Sequence, residues 1–305
     1  MTMKELFAPS DMTVGKPWEK IVAFTIPMLI GNIAQQLYNT VDSIVIGKYV
    51  GDNALAAVGS ASPILNLLLV LFVGISVGAG VMVSQYFGAR QRKELSMMIG
   101  NCVTLTAISS IIIMILGAVL SRPLLEMLKT PDSIIDWCTS YLVILMVGCA
   151  GSAYYNILCG ILRGLGDSIS ALIYLLVATV INIVLDAVFV LGFHWGMYGA
   201  AAATVIGQVI SAIIAVCYLS HYRTVTLHSG HFRPNASHLA QICSLGMASA
   251  INQVAMMIVQ ITMNNLLKHY GAQSVYGESI PIACSGIVMK VNQLYFCLLY
   301  TSPSP

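Results

Sequence analysis

The chain has 305 residues, 58% of them hydrophobic and only 9% charged, with a formal net charge of +2. A soluble domain charges about a quarter of its residues, so this composition excludes a soluble globule and predicts an all-α polytopic membrane protein embedded in the lipid bilayer. So small a charge, with no basic tract interleaved with aromatics, excludes nucleic acid as a partner.

Residues 1–16 are a polar tail with no apolar core and no cleavage site, so the first span serves as its own insertion signal. That span, 21–46, overlaps the stretch IPMLIGNIAQQLYNTVDSIVIG. On a 3.6-residue period Asn32, Gln35, Gln36, Asn39 and Asp42 fall on one polar stripe. A mid-membrane aspartate costs about 2.5–3.5 kcal/mol on insertion scales, so this face is expected to line a bundle interior or a wet cavity. Pro27 reads equally as a mechanical hinge or a tolerated kink. The second span, 63–87, holds Gly74 and Gly78 as GxxxG with Gly80 nearby, a pattern for close helix approach. Spans follow at 95–120 and 137–162.

The fifth span, 170–193, sets Thr179, Asn182 and Asp186 on one face at i, i+3 and i+7. The sixth, 199–219, does the same with Thr204, Gln208 and Ser211 at i, i+4 and i+7. Two carboxylates with carboxamide and hydroxyl oxygens are hard donors that suit a small unhydrated cation, and the same carboxylates can hold a proton instead. At 1.5 Å per residue, Asp42 and Asp186 lie roughly 12 and 6 Å past the middles of their spans, close enough in depth to share a site. No organic cofactor and no other metal is expected.

Residues 221–238 form the longest polar connection, and a boundary between lobes belongs there. Its histidines, His221, His228, His231 and His238, are too irregularly spaced in a solvated loop to read as a metal site. The seventh span, 239–267, carries Ser249, Gln253, Gln260 and Asn264 but no carboxylate, and an eighth is expected at 275–299. Lys and Arg sort nine to one side (Lys4, Lys16, Lys20, Arg90, Arg92, Lys93, Arg163, Arg223, Arg233) and four to the other (Lys48, Arg122, Lys129, Lys268). The positive-inside rule therefore puts the amino terminus and the 221–238 linker in the cytoplasm, for a multi-pass protein of the cell membrane. The eight cysteines include no CxxC pair and read as small buried hydrophobes.

Lys48, Gly51, Gly59 and Pro63 in KYVGDNALAAVGSASPI recur as Lys268, Gly271, Gly277 and Pro281 in KHYGAQSVYGESIPI, offset by 220 residues between Gly51 and Gly271. Six spans separate the copies, so both enter the membrane the same way and their symmetry axis lies along its normal. The implied organisation is a tail (1–16), a six-helix lobe (17–220), a cytoplasmic linker (221–238) and the first two helices of a repeated second lobe (239–305). The sequence reads as a fragment.

The stretch IPMLIGNIAQQLYNTVDSIVIG, together with NIVLDAVFVLG, GMYGAAAATVIGQ and LRGLGD, resembles the multidrug and toxic compound extrusion (MATE) transporters over residues 17–293. The resemblance implies two six-helix lobes and export of organic, often cationic compounds driven by inward sodium or proton flow. It implies a cation site at Asp42, Asn182, Asp186 and Thr204, a first-helix hinge at Pro27, and cavity residues at Tyr38 and Asn156. Gln35, Asn39 and Gln208 join that cavity from their helix faces. Some members carry an acidic residue in the seventh helix, and none stands between residues 242 and 267 here.

The expected function is therefore cation-coupled efflux of a small, cationic organic substrate. A lipid-linked oligosaccharide flippase of related architecture is the alternative, though it calls for an Arg- and Lys-rich cavity, and a membrane receptor is a weaker one. An enzyme is not expected, because no HExxH, GxSxG or Ser/His pair sits within a span.

Overall fold

The computed structural model describes residues 16–127, 130, 132–220, 229–273, 285 and 288, and leaves out certain side chains within the helices, including those of Tyr38, Asn39 and Asp42. The eighth span and the second copy of the repeat beyond residue 273 lie outside the described residues, apart from the isolated positions 285 and 288. Eight α-helices follow in order: α1 Pro17–Val45, α2 Asp52–Gly88, α3 Arg92–Met127, α4 Asp132–Val147, α5 Cys149–Gly164, α6 Ser168–Asp186, α7 Gly196–Ser220 and α8 Ala236–Ala272. Two of them widen at their ends into π-helical segments, Ile46–Val50 after α1 and Ala187–Gly192 after α6, and a 3₁₀ turn, Ser229–Phe232, precedes α8. No strand occurs among the described residues.

Five stretches, Ala61–Gly88, Arg92–Met127, Ser168–Gly192, Gly196–Leu219 and Ala236–Met263, are long and apolar enough to cross a bilayer. Ile134–Val147 and Cys149–Gly164 together make a sixth, bent by 50°. The sequence reads 137–162 as one span, and the structure corrects that to a broken one. Gly148 stands at the break, packed so tightly against Val205 of α7 that a β-carbon there would overlap the valine side chain.

α3 buries Leu95, Met98, Ile99 and Leu125 near its ends, but along its middle small and hydroxyl residues turn inward and aliphatic ones outward. Thr106, Ser109, Ser110, Gly117 and Ser121 are buried, while Ile111, Ile112, Ile115, Leu116 and Val119 are exposed. In a bilayer the aliphatic face is at home in lipid, and small residues let helices approach. The buried hydroxyls need a partner, and Thr106 and Ser110 donate to the carbonyls of Cys102 (2.7 Å) and Thr106 (2.5 Å), four residues back.

α2 is the spine of the molecule, with two glycine faces. On one, Gly74 and Gly78 meet α8, where a β-carbon on Gly74 would stand 2.9 Å from the Gly246 carbonyl oxygen and 3.1 Å from the Ala250 β-carbon. On the other, Ser76 and Gly80 meet α5, where β-carbons on Gly160 and Gly164 would each stand 2.6 Å from a backbone oxygen, of Ser76 and Gly80 respectively. The GxxxG pattern of α2 thus brings helices close, as the sequence suggests, and α5 answers with a GxxxG of its own.

α1 packs chiefly on α6, with Gly31 set against Leu172 and Leu175, and α6 packs on α7, which also meets α5 and α4. Two apolar clusters fill the bundle. One surrounds Phe72, Leu142 and Met146, and the other surrounds Met98, Leu158 and Leu162.

Candidate functional site

The polar faces of α6 and α7 meet because Gly207 lets the helices approach. A β-carbon on Gly207 would stand 3.2 Å from the Ala178 carbonyl oxygen and 3.4 Å from the Asn182 β-carbon. At this contact, Asn182 donates an Nδ2–H to the Thr204 hydroxyl oxygen at 3.2 Å. Asn182 is 3% exposed and Asp186, one turn further on, is 2% exposed. Asn182 Oδ1 is buried and has no hydrogen-bond partner among the described residues. A buried carbonyl oxygen left unpaired is costly; Thr204 is bonded to the same side chain, and Asp186 follows one turn along α6.

α1 brings Asp42 to the same level of the bundle. Asp42 is three residues from the end of α1, Asp186 is the last residue of α6, and the π segments that follow touch each other and α7. Each segment is closed by a backbone hydrogen bond spanning five residues, Gly51 N to Ile46 O at 3.2 Å and Phe193 N to Val188 O at 2.9 Å. π turns cluster at functional positions in helices, and here both directly follow a carboxylate-bearing stretch. Gly51, at φ 110°, ends the first in a conformation that favours glycine. The second runs into three mutually packed aromatics, Phe189, Phe193 and Trp195, with Phe189 and Trp195 stacked at 5.1 Å between centroids. Phe193 and Trp195 are exposed, as in an aromatic belt at a membrane surface.

Toward the middle of the bundle a second polar node ties α2, α5 and α7 together. The Ser152 hydroxyl bonds Gln208 Oε1, Asn156 donates its Nδ2–H to the Ser152 carbonyl at 2.7 Å, and Ser76 donates to the Asn156 carbonyl at 2.7 Å. Gln208 and Asn156, expected in a cavity, are therefore engaged with protein groups as well as half-buried. Gln35 is exposed on α1, and Pro27 sits half-buried inside that helix. Of the flanking stripe residues, Thr179 bonds the Leu175 carbonyl of its own helix at 2.8 Å, and Ser211 bonds the Tyr174 carbonyl of α6 at 2.9 Å. Both hydroxyls are helix glue.

Three features escaped the sequence reading. Ser152 carries no distinguishing signal within its apolar run. The π segments have no residue signature. His238, read as part of a solvated loop, lies inside α8 and is buried. Among the described residues no group of three or more His, Cys, Asp and Glu gathers as a metal site.

The MatE family model matches residues 27–188, more than half of the chain, and the chain belongs to that family of membrane transporters. It is 28% identical over 276 residues to the Bacillus subtilis (strain 168) protein named "Probable multidrug resistance protein YoeA", covering 87% of this chain and 60% of that one. It is 30% identical over 267 residues to "Probable multidrug resistance protein YpnP" of the same organism, covering 88% and 60%. The fold matches a solved MOP superfamily transporter from Pyrococcus furiosus with a TM-score of 0.86 at 25% identity, over 99% of this chain and 65% of that one. The chain spans about 60% of the length of these curated relatives.

Proposed function

We propose that this chain carries the cation-coupling lobe of a secondary active exporter of small organic cations in the cell membrane, with its amino terminus in the cytoplasm. The supporting observation is the buried Asp186 beside the Asn182–Thr204 hydrogen bond and the unpaired Asn182 Oδ1. Asp42, at the same level on α1, supplies the second carboxylate. Two carboxylates sharing one site repel, so a proton or a sodium ion is needed to neutralise the pair. Entry of that ion draws α1, bending at Pro27, toward α6. The space lined by Gln35, Tyr38, Asn39, Asn156 and Gln208 shrinks and the substrate leaves on the opposite side. Residues 17–220 form one lobe in this reading, and α8, which starts at Ala236 inside the stretch read as linker, begins the next.

The test is sodium binding to the chain in lipid nanodiscs, paired with a pH titration of proton uptake, for wild type and Asp186→Asn. Loss of either sodium binding or proton uptake in the variant supports the site. An unchanged variant in both assays refutes it.

A further inference from the structure

The segment that leads into α8 is strapped to α3. Asn101 turns its Nδ2–H back to the Met97 carbonyl of its own helix at 2.8 Å, which leaves Oδ1 to accept the backbone N–H of Asn235 at 2.7 Å. Thr104 donates to the Phe232 carbonyl at 2.8 Å, and Gly100 gives the His231 carbonyl room to approach. Asn235 then caps α8 by accepting the Ser237 N–H at 3.0 Å.

Just inside α8, His238 dips between α2 and α3. Its ring stands edge-on to Tyr86 at the end of α2, 6.4 Å between centroids and 73° between planes, and its Nε2 lies 3.5 Å from Glu94 Oε2 in the first turn of α3. The His238 side chain is 8% exposed and Glu94 39%. His238 Nδ1 is buried with no hydrogen-bond partner among the described residues. The buried positions of α8 continue as Ile242 and Gly246, one turn apart each, and beyond Ala250 exposed Ile251, Met256, Ile258 and Val259 take over. Among the described side chains, α8 is mostly exposed from Ile251 to Tyr270, and Gly271 is buried again.

These ties differ in kind. The strap bonds are well-formed hydrogen bonds between side chains and backbone. The glycine contact between α2 and α8 is backbone against backbone, with Ile242 of α8 buried beside it in the cluster that holds Ile75 and Met82. The His238 contact is long, one of its nitrogens is unsatisfied, and its carboxylate partner can return to water without moving. It is the tie that gives way first. We propose that His238, Glu94 and Tyr86 form a releasable latch at the start of α8, and that α8 rolls about the Gly74–Gly246 contact when the latch opens. This proposal does not rest on what is transported, and His238 and Glu94 lie outside the cation site.

Spin labels at Arg92 and Gln241, both exposed, report the α3–α8 distance in nanodiscs once the native cysteines are replaced. Labels at Arg92 and Arg163, both exposed, give a control distance within the first bundle. Wild type should give one narrow Arg92–Gln241 distance by double electron–electron resonance. Glu94→Gln and His238→Asn should each raise a second, longer population on the order of tenfold. The exchanged pair Glu94→His with His238→Glu should restore the narrow distance. Glu94→Gln keeps the size of a partly exposed side chain, so it reports even if the histidine variant does not fold. An unchanged distribution in Glu94→Gln overturns the latch. So does equal broadening of the Arg92–Arg163 control, or failure of the exchanged pair to recover.

Discussion

Asn182 and Thr204 stand on different helices, 22 residues apart in sequence, and share one hydrogen bond of 3.2 Å beside a buried carboxylate. Thr204→Val keeps the shape and removes the acceptor. Interhelical hydrogen bonds in membranes are worth about 0.6 kcal/mol on average and up to about 2, so unfolding in mixed detergent should show a loss of that size. In the proposed site the hydroxyl is also a ligand, so cation affinity should fall more, on the order of tenfold. A variant that loses stability and keeps its affinity would make this bond interhelical glue alone.

Gly246→Val should be among the most damaging substitutions in α8. Any β-carbon there collides with the Gly74 backbone, and backbone cannot swing aside. Overpacking of this kind costs about 1–3 kcal/mol or separates the helices. Gly88→Ala is the control, since its β-carbon would have nothing within 4 Å. Thermal melting followed by size-exclusion fluorescence should put Gly246→Val well below wild type and Gly88→Ala level with it.

Much of this arrangement was legible in the chain, for identifiable physical reasons. Membrane spans announce themselves by length, because the bilayer demands about 20 apolar residues in a row. Asp186 and Asn182 stood out because polar groups in such a run are expensive. The break at Gly148 did not stand out, since glycine is common in spans and the residue packed against it, Val205, is some 57 residues away in sequence. Partner choice was equally hidden. Gly74 and Gly78 signal a close neighbour, but nothing in their spacing says that the neighbour is α8. His238 was misjudged because its burial comes from Tyr86 and Glu94 on other helices, a tertiary fact.

Gly148 and Val205 offer a direct measure of the bend. Gly148→Ala should lower stability, by about 1–3 kcal/mol from overpacking, and Val205→Ala alone should cost a smaller amount from lost packing. Together they should recover part of the loss, since the second makes room for the first. Chemical unfolding of the four proteins gives the coupling energy, and strict additivity would mean that the bend has another cause.

Asp42→Asn and Asp186→Asn should insert as well as wild type, since each removes a charge from the membrane. In the proposed exporter, each should abolish ion-driven efflux. Fluorescent-dye efflux from cells, with surface expression measured in parallel, decides the point. Correctly inserted variants with wild-type efflux would make the carboxylates structural.

A π turn is one surplus residue stored in a helix, and this chain holds two such reserves, at Ile46–Val50 and Ala187–Gly192. Deleting one residue from the interior of α2 would rotate everything beyond it by about 100° and turn the glycine faces there away from their partners. Deleting one residue between 187 and 192 would instead let the segment relax into ordinary α turns, with Asp186 left where it is. Tolerance to changes in chain length is therefore concentrated immediately beyond the carboxylates. Descendants of this gene can shorten the connection to α7 there while the residues that precede it stay in register.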